Sequence, residues 1–368
     1  AFYQMDYTGL LDLSGWTNIR PTASMGYMFR QTTATSINIT GWDTSNVTSM
    51  YGLFYNCASL EEIIGLNGLT STLLTNTGAQ AMFQNCYQLS FPSAGSNLSD
   101  AFGAGLGACI YLNHMFAYVG STNPGPAPNI TNFDTTSVQS VANMFQGCKF
   151  TTTIDITAWN VPALTNMTSM FYVSTFGTQT MDLSAWNFTS SMTVLSNFIR
   201  QQVGITSIKF DSANCDLSGL TSLSYFAYAN TSISTIEFVG AADFTGLTNI
   251  SGFCQSAWNG ITVDLGSVQD FSAVTNWSNA FYQMGPGVSV NFLPGATMPG
   301  TTGFSAFLNL TTLATADYDN LLQALDANGS SSGSLNGGNS TYTAAGAGGT
   351  ARASLVTKSW TISDGGAA

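Results

Sequence analysis

Two short hydrophobic periods are nested inside one long period in this chain, and residues 36–60 show all three. Ile37-Asn38-Ile39 alternates apolar, polar, apolar, the pattern of a half-buried strand. Gly41-Trp42-Asp43-Thr44-Ser45 supplies turn and helix-start residues. Val47, Met50, Leu53 and Phe54 then fall at i, i+3, i+6 and i+7, which predicts one face of a short helix. Asn56-Cys57-Ala58-Ser59-Leu60 leads into the next copy.

The strings Asn46-Val-Thr-Ser-Met-Tyr-Gly-Leu-Phe54, Val141-Ala-Asn-Met-Phe145 and Asn166-Met-Thr-Ser-Met-Phe171 are variants of one motif, anchored on its final Phe. The anchors are Phe2, Phe29, Phe54, Phe83, Phe116, Phe145, Phe171, Phe198, Phe226, Phe253, Phe281 and Phe307. Their spacings are 27, 25, 29, 33, 29, 26, 27, 28, 27, 28 and 26. Strand, turn, short helix and loop repeated about a dozen times predict an α/β solenoid, with a parallel sheet on one face and short helices on the other. The period falls in the range of leucine-rich repeats. The expected organisation is a repeat solenoid over 1–316 and a closing segment over 317–368. Ala1-Phe-Tyr-Gln-Met5 is identical to Ala280-Phe-Tyr-Gln-Met284, so the chain opens inside a repeat. That predicts either further N-terminal sequence or a covering chain.

Composition narrows the functions. Of 368 residues only 7% are charged while 44% are hydrophobic, so hydroxyls and amides must carry solubility. That balance is common among extracellular β-rich and solenoid proteins. The net charge is −12, and the seven basic residues are scattered, so no nucleic-acid or anionic-membrane partner is expected. The uncharged stretch 101–120 is interrupted by Asn113, His114 and several glycines and contains a repeat, so it predicts no membrane insertion.

The strings Gly41-Trp-Asp-Thr-Ser-Asn-Val-Thr-Ser-Met50 and Phe54-x-x-Cys57-x-x-Leu60 resemble the BspA-like class of leucine-rich repeats. The copies ending at Phe54, Phe145 and Phe171 carry the resemblance most specifically. The tail strings Tyr318-Asp-Asn-Leu-Leu322, Gly338-Asn-Ser-Thr-Tyr342, Ala351-Arg-Ala-Ser354 and Trp360-Thr-Ile-Ser-Asp-Gly-Gly366 are similar to the segment that closes such arrays. The resemblance implies a secreted or surface-anchored protein with a role in adhesion, and no catalytic residues to carry over. Similar arrays also occur in phage-encoded proteins.

Candidate chemistry is sparse. Cys57, Cys86 and Cys148 share one slot, three residues after the anchor, which predicts small packed side chains and mostly unpaired thiols. Cys109, Cys215 and Cys254 share no register, and no Cys-x-x-Cys occurs, so no metal is expected. His114 is the single histidine and reads as structural. Gly329-Ser-Ser-Ser-Gly333 matches a hydrolase signature formally but lies in a Ser/Gly stretch. Twelve Asn-x-Ser/Thr sequons occur, among them Asn46, Asn166, Asn249 and Asn276; their recurrence at repeat positions points to Asn bonding local backbone. The aromatic column Trp16, Trp42, Phe133, Trp159, Trp186, Phe244 and Phe271 reads as core filling before sugar stacking.

The most informative positions lie at the strand centres: Asp12, Asn38, Asn129, Asp155, Asp182, Lys209, Glu237, Asp264 and Asn291. Their flanks are apolar, so these side chains point outward. Two positions earlier come Ser36, Thr153, Thr180, Ser207, Thr235, Thr262 and Ser289. Stacking predicts a hydroxyl column beside a column of carboxylates and amides. Read as exposed side chains, Asp155 and Asp182 should tolerate Ala with little loss of stability. The expected function is a non-catalytic adhesion or recognition module, extracellular and displayed on a cell or virion surface, with a glycan or protein receptor as partner and no cofactor. The competing expectation is a structural subunit of an extracellular filament or virion appendage, whose partners are neighbouring copies.

Overall fold

The structure is a computed structural model. It describes residues 2–16, 24–69, 73–92, 98, 106–258, 260–299, 303–304, 306–329 and 331–368. The chain divides into two compact units, Ala1–Gln179 with Ala185–Asn187, and Thr180–Ser184 with Phe188–Ala368. Each is a repeat solenoid of parallel strands, as the period predicts.

In the first unit β1 (Leu10–Asp12), β2 (Ser36–Asn38) and β3 (Glu62–Ile64) form a parallel sheet. The apolar strand centres are in register, Leu11 against Ile37 and Ile37 against Ile63. A shorter parallel pair joins β4 (Thr75–Asn76) and β5 (Ala108–Cys109). The strands expected at Asn129 and Asp155 do not form. Pro126 and Pro128 bring no N–H to a ladder, and side chains take over: Ala127 N–H donates to Thr152 Oγ1 (2.9 Å) and Ile154 N–H to Gln179 Oε1 (2.9 Å).

In the second unit β7 (Val203–Asp211), β8 (Thr235–Val239), β9 (Thr262–Asp264) and β10 (Ser289–Val290) form a parallel sheet, joined by the end of β6 (Thr175–Asp182). The tail adds a second sheet of β11 (Gly303–Phe304), β12 (Gly333–Asn336) and β13 (Trp360–Ser363), with α1 (Thr315–Ala327) and α2 (Ala347–Thr357). A Tyr318–Asp364–Arg352 network ties it together: Tyr318 Oη donates to Asp364 (3.0 Å), and Arg352 donates to both Asp364 oxygens (2.8 and 3.2 Å).

The second leg of the repeat is not the expected helix. It is a staircase of turns. Met28, Arg30 and Thr32 N–H donate three residues back, to Met25, Tyr27 and Phe29. The alternate residues Tyr27, Phe29 and Gln31 donate to the next repeat, at Tyr51, Leu53 and Tyr55. To make these steps, residues two before and two after the anchor adopt left-handed backbone: Tyr27 and Gln31, Gly52 and Asn56, Ala81 and Asn85, Asn143 and Gly147. A helix this short is marginal and keeps its bonds to itself. The staircase sends every second N–H sideways, so this leg also becomes an inter-repeat ladder. Hydrophobic spacing satisfied both forms; the left-handed Asn and Gly residues are the signal that separates them.

The ladder also resets the register. Phe29, Phe54, Phe83, Phe116 and Phe145 donate to the residue before the next anchor, at 2.9–3.0 Å. In the second unit the residues doing so are Ile199, Ala227, Cys254 and Phe281. The structural anchors there are thus Ile199, Ala227, Cys254, Phe281 and Leu308, each except Phe281 one residue after the Phe that the pattern selects. Their spacings are 28, 27, 27 and 27, more even than the sequence count. The slip is invisible to hydrophobicity because both positions are buried; Phe198 and Ile199 are each 0% exposed.

The core of the first unit is a column of parallel rings. Phe2, Phe29, Phe54, Phe83, Phe116, Phe145 and Phe171 stack at 5.2–5.7 Å with interplanar angles of 2–12°.

Candidate functional site

The strand face of the second unit is built as the pattern predicts. Ser207, Thr235, Thr262 and Ser289 are register partners in one column. Lys209, Glu237 and Asp264 are partners in the next, with Asn291 following β10 and donating its side-chain amide to Asp264. Asp182 lies at the other end of this column, 3.8 Å from Lys209 Nζ. Asp317, in the first turn of α1, accepts from Ser289 Oγ (2.7 Å) and closes the hydroxyl column.

The first unit is less regular. Asp12 and Asn38 are partners, but the third place is Ile64, while Glu62 stands opposite Ser36 and accepts its hydroxyl (3.0 Å). Asn129 and Asp155 lie on extended chain that no main-chain ladder joins among the described residues. Between them is an open groove of about 220 Å³, lined by Ala127, Pro128, Asn129, Ile130, Thr131, Thr153 and Asp155.

Most of these polar side chains also hold their own backbone. The Oδ1 atoms of Asp12, Asn38, Asn129, Asp155, Asp182 and Asp264 each accept the N–H two residues on, at 2.9–3.2 Å. Each thereby closes a turn at the strand end. Replacement by Ala would remove that bond, so the expectation of unchanged stability does not hold for Asp155 or Asp182. The Ser14 hydroxyl and N–H hold the Asp12 carboxyl below the usual carboxylate range. Hydrogen bonding from Ser184, with Lys209 nearby, does the same for Asp182. Several sequon asparagines behave alike: Asn166, Asn249 and Asn276 accept from Thr168, Ser251 and Ser278 N–H, at 2.8–3.1 Å.

The other candidates are structural. All six cysteines are buried, and none of them forms a disulfide. Cys57 Sγ donates to Phe29 O and Cys86 Sγ to Phe54 O, at 2.9 and 3.0 Å. In the second unit Asn230 and Thr311 fill the same slot and donate to Ile199 O and Phe281 O. Trp42, Trp159 and Trp186 are at most 5% exposed, and each donates its indole N–H to the preceding repeat. Trp16 differs, being 47% exposed. His114 sits in left-handed backbone, and burial lowers its pKa. Ser330 of the Gly329–Gly333 string lies outside the described residues. No helix among the described residues is long and apolar enough to cross a membrane.

One feature on the turn leg escapes the sequence reading. The position after the anchor carries Tyr3, Arg30 and Tyr55 in successive repeats. The Arg30 guanidinium carbon lies 5.4 Å from the Tyr3 ring centre, 5.2 Å from Tyr27 and 5.4 Å from Tyr55. Arg200 repeats the arrangement in the second unit, 4.7 Å from Tyr228 and 5.4 Å from Tyr225. Aligning the position after each anchor would have exposed this column.

Among known proteins, the family described as "Mycoplasma protein of unknown function, DUF285" matches residues 2–100 and 110–233. No curated protein matches the chain. No solved structure matches it either.

Proposed function

Because the chain belongs to the DUF285 family of Mycoplasma proteins of unknown function, we propose that it is a non-catalytic recognition module. It is displayed on an extracellular surface, where the strand face engages a glycan or protein receptor. The BspA-like resemblance of the repeats supports surface display and adhesion. The observation that carries the reading is the groove between Asn129–Thr131 and Thr153–Asp155. There the exposed Asn129 amide, Thr153 hydroxyl and Asp155 carboxylate stand on extended chain that joins no strand ladder. Each polar contact of this kind contributes little alone, so affinity must accumulate over several repeats.

Asp155→Asn and Asp182→Asn test the proposal. Asn keeps the acceptor that closes each turn and removes the charge. The double variant should melt like the wild type and adhere to receptor-bearing cells or an arrayed glycan panel more weakly. Unchanged adhesion would sink the strand-face reading. If adhesion is unchanged while light scattering shows the chain assembling with its own copies, the structural-subunit reading takes its place.

A further inference from the structure

The Arg30 cluster has no role in the strand-face reading, and its construction is specific. Arg30 is half-buried between tyrosines of its own and both neighbouring repeats. Among the described residues no carboxylate pairs with it, although the chain carries 19 acidic residues against 7 basic ones. Its Nε is buried without a hydrogen-bond partner.

The tyrosines are held in place. Tyr27 lies over Gly52 of the next repeat, so closely that a Cβ at Gly52 would stand 2.6 Å from its ring. Tyr51 and Tyr55 pack edge-on against Tyr27, at 5.1 and 5.9 Å. Tyr3, at the rim, is 46% exposed. The second unit uses the same parts: Tyr225 covers Gly252, whose Cβ would stand 2.5 Å from the ring, and Arg200 lies over Tyr225 and Tyr228. A glycine that makes room for a ring, a ring that supports a guanidinium and a further tyrosine beside it thus recur in both units.

We propose that the Arg30 cluster is a binding site for a carboxylate-bearing sugar of an acidic glycan. A guanidinium presents a planar fork of donors that matches a carboxylate two-for-two. Rings packed around it strip water from it without accepting from its N–H groups as a carboxylate would. The exposed Tyr3 face and the neighbouring phenols offer a flat apolar surface and hydroxyls, which suit the C–H face and ring hydroxyls of a pyranose. An acidic peptide would need the charge alone and would leave the rings unused, so the glycan fits better. The site stands independently of the strand face.

The test titrates the full chain with a hyaluronan hexasaccharide, which carries glucuronates, and with neutral chitohexaose, by calorimetry at low salt. The wild type should bind the uronate chain at least about tenfold more tightly than the neutral one. Arg30→Lys keeps a point charge and loses the fork, so it should weaken uronate binding by about tenfold. Tyr3→Ala, at the exposed rim, should also weaken it while leaving the melting temperature in place; it serves as the decisive variant should Arg30→Lys melt early. Lys149→Ala, which removes an exposed basic residue outside both sites, should bind the uronate chain as the wild type does, which separates the cluster from a general effect of charge. Three results would each overturn the proposal: no uronate binding by the wild type, unchanged binding in Tyr3→Ala, or oligoglutamate competing as well as the glycan.

Discussion

The ring column makes a quantitative demand on Phe145. The side chain is 0% exposed and lies between Phe116 (5.4 Å, 2°) and Phe171 (5.5 Å, 4°). Phe176 meets it edge-on at 6.0 Å. Phe145→Ala keeps the main-chain bond to Met170 and removes only the ring. Emptying a core Phe site costs about 3–5 kcal/mol. Each aromatic pair adds roughly 0.5–1.5 kcal/mol beyond its buried area, and two stacked partners are lost at once. The expected loss is therefore at the top of the range, about 5 kcal/mol. Cys254 occupies the equivalent ladder position in the second unit, with Ala227 before it. Truncating Cys254 to Ala removes one sulfur and should cost about 1 kcal/mol. Urea denaturation followed by tryptophan fluorescence measures both, with the buried Trp42, Trp159 and Trp186 reporting on the unit that holds Phe145. Should Phe145→Ala and Cys254→Ala cost the same, the column is not the core of the first unit and the ladder register is wrong.

Three further outcomes follow from the same geometry. A thiol reagent should label none of the cysteines in the native chain and all six after denaturation, since all are buried and burial pushes the Cys148 and Cys254 thiols far above the usual range; rapid native labelling would contradict the packing. Asn143 sits at φ 58°, so Asn143→Val should cost about 1–2 kcal/mol in a melt while Asn143→Gly stays close to the wild type. Asp216 accepts from Ser218 Oγ (2.6 Å) and N–H (3.0 Å), which hold its pKa below the unfolded value. That contribution is present above the unfolded pKa and disappears as pH falls through the folded one; between about pH 6 and about pH 3 the wild type should lose more melting temperature than Asp216→Ala.

The strand columns of the second unit were legible because a period-2 pattern fixes which side chains face out, and parallel register then stacks them. The Trp and Cys slots were legible because a repeated position must make a repeated contact. What hydrophobicity could not separate was two backbone paths that bury the same residues. Val47, Met50, Leu53 and Phe54 sit inside on a helix or on a staircase of turns, and Phe226 and Ala227 are both buried. The missing distinction lay in backbone preference, in left-handed residues spaced four apart around each anchor, which are Asn or Gly at Gly52 and Asn56 and at Asn143 and Gly147 but Tyr27 and Gln31 around Phe29. At Asn129 and Asp155 the apolar flanks promised strands, but prolines upstream withheld the donors. The Arg30 cluster escaped because its tyrosines lie in three repeats and no short string contains it.

The staircase of turns has a mechanical meaning. Within either unit nearly every main-chain bond that leaves a repeat goes to an adjacent one, about 27 residues away, as from Leu112 N–H to Ser140 O or from Thr248 N–H to Thr221 O. Two ladders, one on each leg, therefore load in parallel when the chain is pulled from its ends, and each turn must give way before its neighbour is exposed. Releasing one turn frees on the order of 90 Å of slack. A tether built this way yields in steps and can rewind from the turns that remain, because the surviving edge still carries the template for the next.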